Sequence, residues 1–85
     1  MLMSKKEEDR VEFTEMLLQK LQDSLPAIFS RNAVEKLLGG AISPGTLANL
    51  GSEGPEYAII NRNAVYEKET FLAWLRTRIS KSKHS

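Results

Sequence analysis

The chain has 85 residues, 41% hydrophobic and 27% charged, with a net charge of +1, one histidine and no cysteine. That length holds one domain. Without cysteine there is no disulfide and no thiolate metal site, and the lone His84, beside the C-terminus, gives neither a metal cluster nor histidine-based catalysis a foundation.

The opening residues, MLMSKKEEDR, become charged too early for a signal peptide. No apolar run is long enough to span a bilayer. These features describe a soluble cytoplasmic protein with no membrane partner, no metal and no cofactor. Charge is unevenly spread: residues 1–25 carry a net −2, residues 26–60 a net −1 and residues 61–85 a net +4. A basic end can engage a polyanion or simply solubilise the chain.

Between Glu8 and Ser24, the residues Val11, Phe13, Met16, Leu17, Leu18 and Leu21 recur at helical spacing, with Leu25 just beyond. Pro26 ends this helix. Its broad apolar face is expected to cover the core, and the seam Val11, Thr14, Leu18, Leu21, Leu25 is too short for a coiled coil. A second helix starts at Ser30, whose hydroxyl can cap the first turn; Phe29 and Val34 stand at the positions of a hydrophobic staple. Val34, Leu37 and Leu38 form one apolar face.

The segment LLGGAISPGTLANL then breaks the helix and restarts it. Gly39-Gly40 supplies the left-handed backbone that follows a helix end, and Ile42 plugs the turn. Ser43 caps a third helix, residues 44–51, with Pro44 at its first position, where a missing amide hydrogen costs nothing. Leu47 and Leu50 face inward. Gly45, Thr46 and Asn49 face outward, with Ser52 and Glu53 beyond them.

A turn-rich link, GSEGPEY, leads into the β-prone runs Tyr57 to Ile60 and Ala64 to Tyr66. They flank Asn61-Arg62-Asn63, a hairpin signal. Phe71, Leu72, Leu75 and Ile79, with Trp74 alongside, predict a closing amphipathic helix of about twelve residues. Phe71 and Trp74 are expected in the core and not as base-stacking platforms. The domain is thus read as residues 10–80 with an N-terminal helix over 10–25, a flexible lead over 1–9 and a basic tail over 81–85.

Two short helices joined by a glycine-containing turn present the second helix outward, and in a helix-turn-helix that helix enters the major groove of DNA. Asn49 can read an adenine edge through two hydrogen bonds, and Thr46 can bond a base or pack on a thymine methyl. Ser43 and the first amides can hold a phosphate. Arg62 stands like a wing residue, reaching the adjacent minor groove or backbone. The fold class is mainly α with a small β-hairpin wing over 57–66: a winged helix-turn-helix preceded by an extra N-terminal helix.

The segments FSRNAVEKLLGG, ISPGTLANL, GPEYAIINRNAVY and FLAWL resemble the MerR-like winged helix-turn-helix family of phage excisionases and AlpA-type prophage regulators. Residues Phe29 to Leu75 match it in order. The resemblance implies DNA binding by the second helix and the wing. Thr46, Asn49 and Ser52 would lie on the reading face, Arg62 and Asn63 in the wing, and Arg31 at the start of the supporting helix.

Three departures stand out. The turn GGAI is about two residues longer than the family's, Glu35 replaces a small inter-helix residue, and Gly51 stands where a basic residue often follows. The reading helix carries no Lys or Arg, so phosphate neutralisation falls to Arg31, Lys36, Arg62, Lys68 and the tail. Tight binding would then need dimerisation, neighbouring copies on DNA or a second protein, with the N-terminal helix as the contact.

The expected function is sequence-specific DNA binding, either as an excisionase-like factor that steers an integrase or as a prophage transcriptional regulator. The competing reading is a protein-interaction module on the same scaffold that has lost DNA affinity. Catalysis is not expected. There is no nucleophile–base pair, and LLGGAISPGT lacks the lysine that closes a phosphate-binding loop.

Overall fold

The computed structural model describes the backbone of residues 2–79 and the side chains of residues 13–79. The described residues are mostly helical, with four α-helices and one three-stranded antiparallel sheet. The order is α1 (Leu2–Ser24), β1 (Ile28–Ser30), α2 (Arg31–Leu37), α3 (Pro44–Leu50), a 3-10 turn (Gly51–Glu53), β2 (Ala58–Ile60), β3 (Asn63–Glu67) and α4 (Lys68–Arg78). The first helix starts ahead of the residue-10 boundary read from the sequence. The expected basic tail over 81–85 lies outside the described residues, as does the side chain of Val11.

The sheet has the order β1-β3-β2. Phe29 lies opposite Tyr66, and Ile59 opposite Ala64, which places Phe29, Tyr66, Ala64 and Ile59 on one face. The first three are buried by the helices, whereas Ile59, next to the turn, overhangs the core and stays 60% exposed. β1 was not anticipated. A run of three residues carries no alternation of its own, and only pairing with β3 makes Ile28–Ser30 a strand.

At the centre, Phe71 is fully buried and meets Phe29 edge-on at 5.1 Å and Tyr66 at 5.4 Å between ring centroids. Edge-to-face pairing of this kind adds about 0.5–1.5 kcal/mol per pair beyond area burial. Trp74 packs beside Phe71 at 5.7 Å, and its indole N–H donates to the Glu53 carbonyl at 2.9 Å, tying the 3-10 turn to α4. Both aromatics belong to the core, as expected.

The helix ends follow local chemistry. The Ser30 hydroxyl accepts from the Ala33 amide, and Ser43 accepts from Thr46, each at 3.2 Å. Past α2, Gly39 N–H donates to Lys36 O and Gly40 N–H to Glu35 O, the paired bonds of a Schellman motif. Gly39 and Gly40 hold φ of +63° and +86°, a region that disfavours side chains. At α4 the Glu67 carboxylate accepts from the amides of Glu69 and Thr70, both at 2.9 Å. Three hydrogen bonds in all, counting the Thr70 hydroxyl, hold that carboxylate below its ordinary pKa, the hydroxyl bond contributing most.

The expectation that the whole apolar face of α1 covers the core is corrected in part. Leu18 and Leu25 are buried, and Thr14 and Leu21 are half-buried, so the narrow seam faces inward. Phe13, Met16 and Leu17 remain exposed, Phe13 at 59%. The remaining domain is too small to cover two sides of one helix. Arg76 forks onto Glu15 with two nitrogens, and Lys68 Nζ donates to the carbonyls of Gln22 at 2.9 Å and Leu25 at 3.3 Å, closing the C-terminal end of α1.

Candidate functional site

The residues singled out from the sequence fall into three groups. The first is α3. Leu47 is buried and Leu50 is packed against the core, so the helix is fixed on one side, while Gly45, Thr46, Ala48 and Asn49 are exposed on the other. Ser43 Oγ and Thr46 Oγ1 lie 3.0 Å apart and share a hydrogen bond. Both hydroxyls are therefore engaged within the cap. Asn49, one turn further on, has no side-chain hydrogen bond among the described residues.

Ser52 does not continue this face. The spacing 46, 49, 52 aligns only in an unbroken helix, and α3 ends at Leu50. Gly51 at φ +56° turns the chain, and Ser52 sits in the 3-10 turn that follows. Helix 44–51 is thus one residue shorter than expected.

The second group is the hairpin tip. Asn61 (φ +50°) and Arg62 (φ +70°) form a two-residue connection with both central residues left-handed, the type I′ pattern that matches the twist of paired strands. Asparagine suits this backbone, while arginine at the second position tolerates it against preference. Asn63 is not in the turn. It opens β3, opposite Ile60. Arg62 projects from the tip, flanked by Ile59 and Ile60, both largely exposed. No hydrogen bond joins the α3 group to the tip.

The third group holds the remaining cations. Arg31, first residue of α2, donates from Nε to the hydroxyl of Tyr66 at 2.8 Å. Its guanidinium lies over the Tyr57 ring, 4.8 Å from the centroid. The Tyr66 ring is buried, and a buried phenol needs a polar partner; Arg31 supplies it. That hydrogen bond raises the already high pKa of the guanidinium against some desolvation, with a lesser contribution from Tyr57.

Lys68 stands apart from the other candidates, its ammonium committed to the α1 carbonyls. Arg76 pairs with Glu15, and Arg78 stacks on Trp74 at 5.6 Å. Of the described basic residues after position 60, Arg62 alone has no such partner. Glu35 points to solvent and leaves the packing of α2 on α3 undisturbed.

Comparison with family profiles, characterised proteins and solved structures finds no match. The site is therefore read from its own geometry. No described helix is long and apolar enough to cross a membrane.

Two residues at the site were not singled out from the sequence: Tyr57 and Tyr66, which hold Arg31. Tyr66 lies 35 positions from Arg31, so no local pattern links them. The signal available was chemical, a tyrosine on the core face of a strand whose hydroxyl must find a donor.

Proposed function

We propose that this protein binds duplex DNA as a winged helix-turn-helix, with α3 in the major groove and the β2–β3 hairpin as the wing. The observation that carries the reading is the outward face of α3. A short helix anchored by Leu47 exposes only small and polar side chains, among them an Asn49 amide with no partner among the described residues. An asparagine in that setting reads adenine through two hydrogen bonds, worth about 1–3 kcal/mol of discrimination. Arg62 at the hairpin tip adds a cation able to follow the backbone or enter the minor groove. The resemblance to excisionases and prophage regulators supports the same surface in recombination beside an integrase or at a promoter.

Fluorescence anisotropy on a labelled mixed-sequence duplex, titrated at several salt concentrations, tests the reading. Binding that weakens steeply with salt is expected from phosphate contacts. Asn49→Ala removes the amide and raises helix propensity, and Arg62→Gly removes the guanidinium while favouring the left-handed turn. Weaker binding by either variant is therefore not a folding defect. Absence of binding at low salt sinks the reading.

A second reading, a protein-interaction module, is favoured by one observation: Phe13, Met16 and Leu17 leave an apolar stripe on α1 while Arg31, Lys68, Arg76 and Arg78 are engaged internally. Under it, Asn49→Ala and Arg62→Ala leave partner binding unchanged.

A further inference from the structure

We infer that Arg31 is a pre-set anchor for a DNA backbone phosphate and that Tyr57 and Tyr66 are its positioning residues. The inference rests on the DNA-binding reading and adds to it a residue trio drawn from three elements. The Tyr66 hydroxyl, on β3, accepts a hydrogen bond from Arg31 Nε–H at 2.8 Å and restrains the guanidinium. Tyr57, at the entry to β2, lies beneath that plane at 4.8 Å from the ring centroid and is itself 49% exposed. A guanidinium held at Nε and stacked on a ring keeps its Nη edge for a bidentate oxyanion, and it loses little side-chain freedom on binding one.

Carboxylate competition is absent among the described residues, where the ion pair present is Arg76 with Glu15. Arg31 is thus an organised cation with no anion of its own. Tyr66 is buried and Tyr57 opens the hairpin, so the same trio couples the orientation of the wing to the first turn of α2. The geometry gives the Nη nitrogens no hydrogen-bond acceptor among the described residues, and a backbone phosphate is the anion that the proposed DNA complex brings to them.

Anisotropy on the same duplex, over a salt series, tests this with five variants. Arg31→Ala is expected to lower the salt slope by about 0.9, the loss of one neutralised phosphate. Arg31→Lys retains charge without the fork and falls between wild type and Arg31→Ala. Tyr57→Phe keeps the stack and binds as wild type, whereas Tyr57→Ala binds more weakly at an unchanged melting temperature. Tyr66→Phe removes the hydroxyl alone and also weakens binding.

If wild type binds and Arg31→Ala keeps both affinity and slope, the anchor is overturned while the DNA reading stands. If wild type does not bind DNA, the DNA reading fails and the DNA-phosphate role falls with it; whether the trio is an oxyanion anchor at all is then decided by NMR. A saturable shift of the Arg31 Nε–H resonance on adding inorganic phosphate, lost in Tyr66→Phe, supports it, and no shift overturns it.

Discussion

The two sides of the molecule are built by different means. Around Phe71, the rings of Phe29, Tyr66 and Trp74 come from a strand, another strand and a helix, and all meet within one small volume. The first helix, about 34 Å long at 1.5 Å per residue, is fastened over its described side chains by the narrow seam of Leu18, Leu21 and Leu25, by the Glu15–Arg76 ion pair and by Lys68. Its other apolar stripe meets solvent. Interdigitated aromatics from distant segments define the folding unit, whereas a helix attached along one edge adds stability in proportion to that edge.

This contrast can be broken or sharpened by measurement. Phe71→Ala removes the ring that every other core aromatic touches, and a loss of about 3–5 kcal/mol is expected in urea unfolding. A loss below 1 kcal/mol would show that the aromatic centre is not the organising element. Leu18→Ala is expected to cost about 2 kcal/mol, at the low end of its class because the site lies at the edge of the core and can partly collapse. An equal cost for both would place α1 inside the same cooperative centre.

Lys68→Met strips the donor from the α1 carbonyls, and about 1 kcal/mol is expected. Hydrogen exchange rising in the last turn of α1, and not in β3, is the signature that the contact holds this helix.

Acid titration bears on both sides at once. Glu67, at the start of α4, is lowered chiefly by the Thr70 hydroxyl, and Glu15, on α1, chiefly by its hydrogen bond to Arg76. Both folded values lie below the ordinary 4.5. Each carboxylate therefore stabilises the fold above that value, and the contribution disappears as pH falls through the folded pKa. Glu67→Gln is expected to flatten the acid limb at any salt concentration. Glu15→Gln flattens it only at low salt, since an exposed pair is screened. Phe13→Ser, on the open stripe, is expected to shift stability by no more than about 0.5 kcal/mol. A larger loss would reveal a partner for that face.

Much of the local structure was legible because its causes are local. Ser30 and Ser43 cap helices wherever they stand three residues before a free amide, and Gly39-Gly40 ends α2 through its own backbone preference. Asn61-Arg62 turns a hairpin between two β-prone runs. The shared exposed face of Thr46 and Asn49 followed from helical spacing alone, and Ser52 leaves that spacing because Gly51 ends the helix. β1 stayed hidden because three residues form a strand only against a partner 35 to 39 positions away in sequence.

The charge pattern illustrates the remaining gap. The sequence by itself determined the capped starts of α2 and α3, the glycine stop of α2, the inward leucines of those two helices and the cation-rich C-terminal end. The tertiary structure alone decided what those cations do. Lys68 closes a helix, Arg76 meets Glu15 across 61 positions, and Arg31 is held by two tyrosines from the hairpin. The physical reason is range. Capping and periodicity act within one or two turns of chain, whereas a long charged side chain takes its partner from whatever the fold brings within a few ångströms.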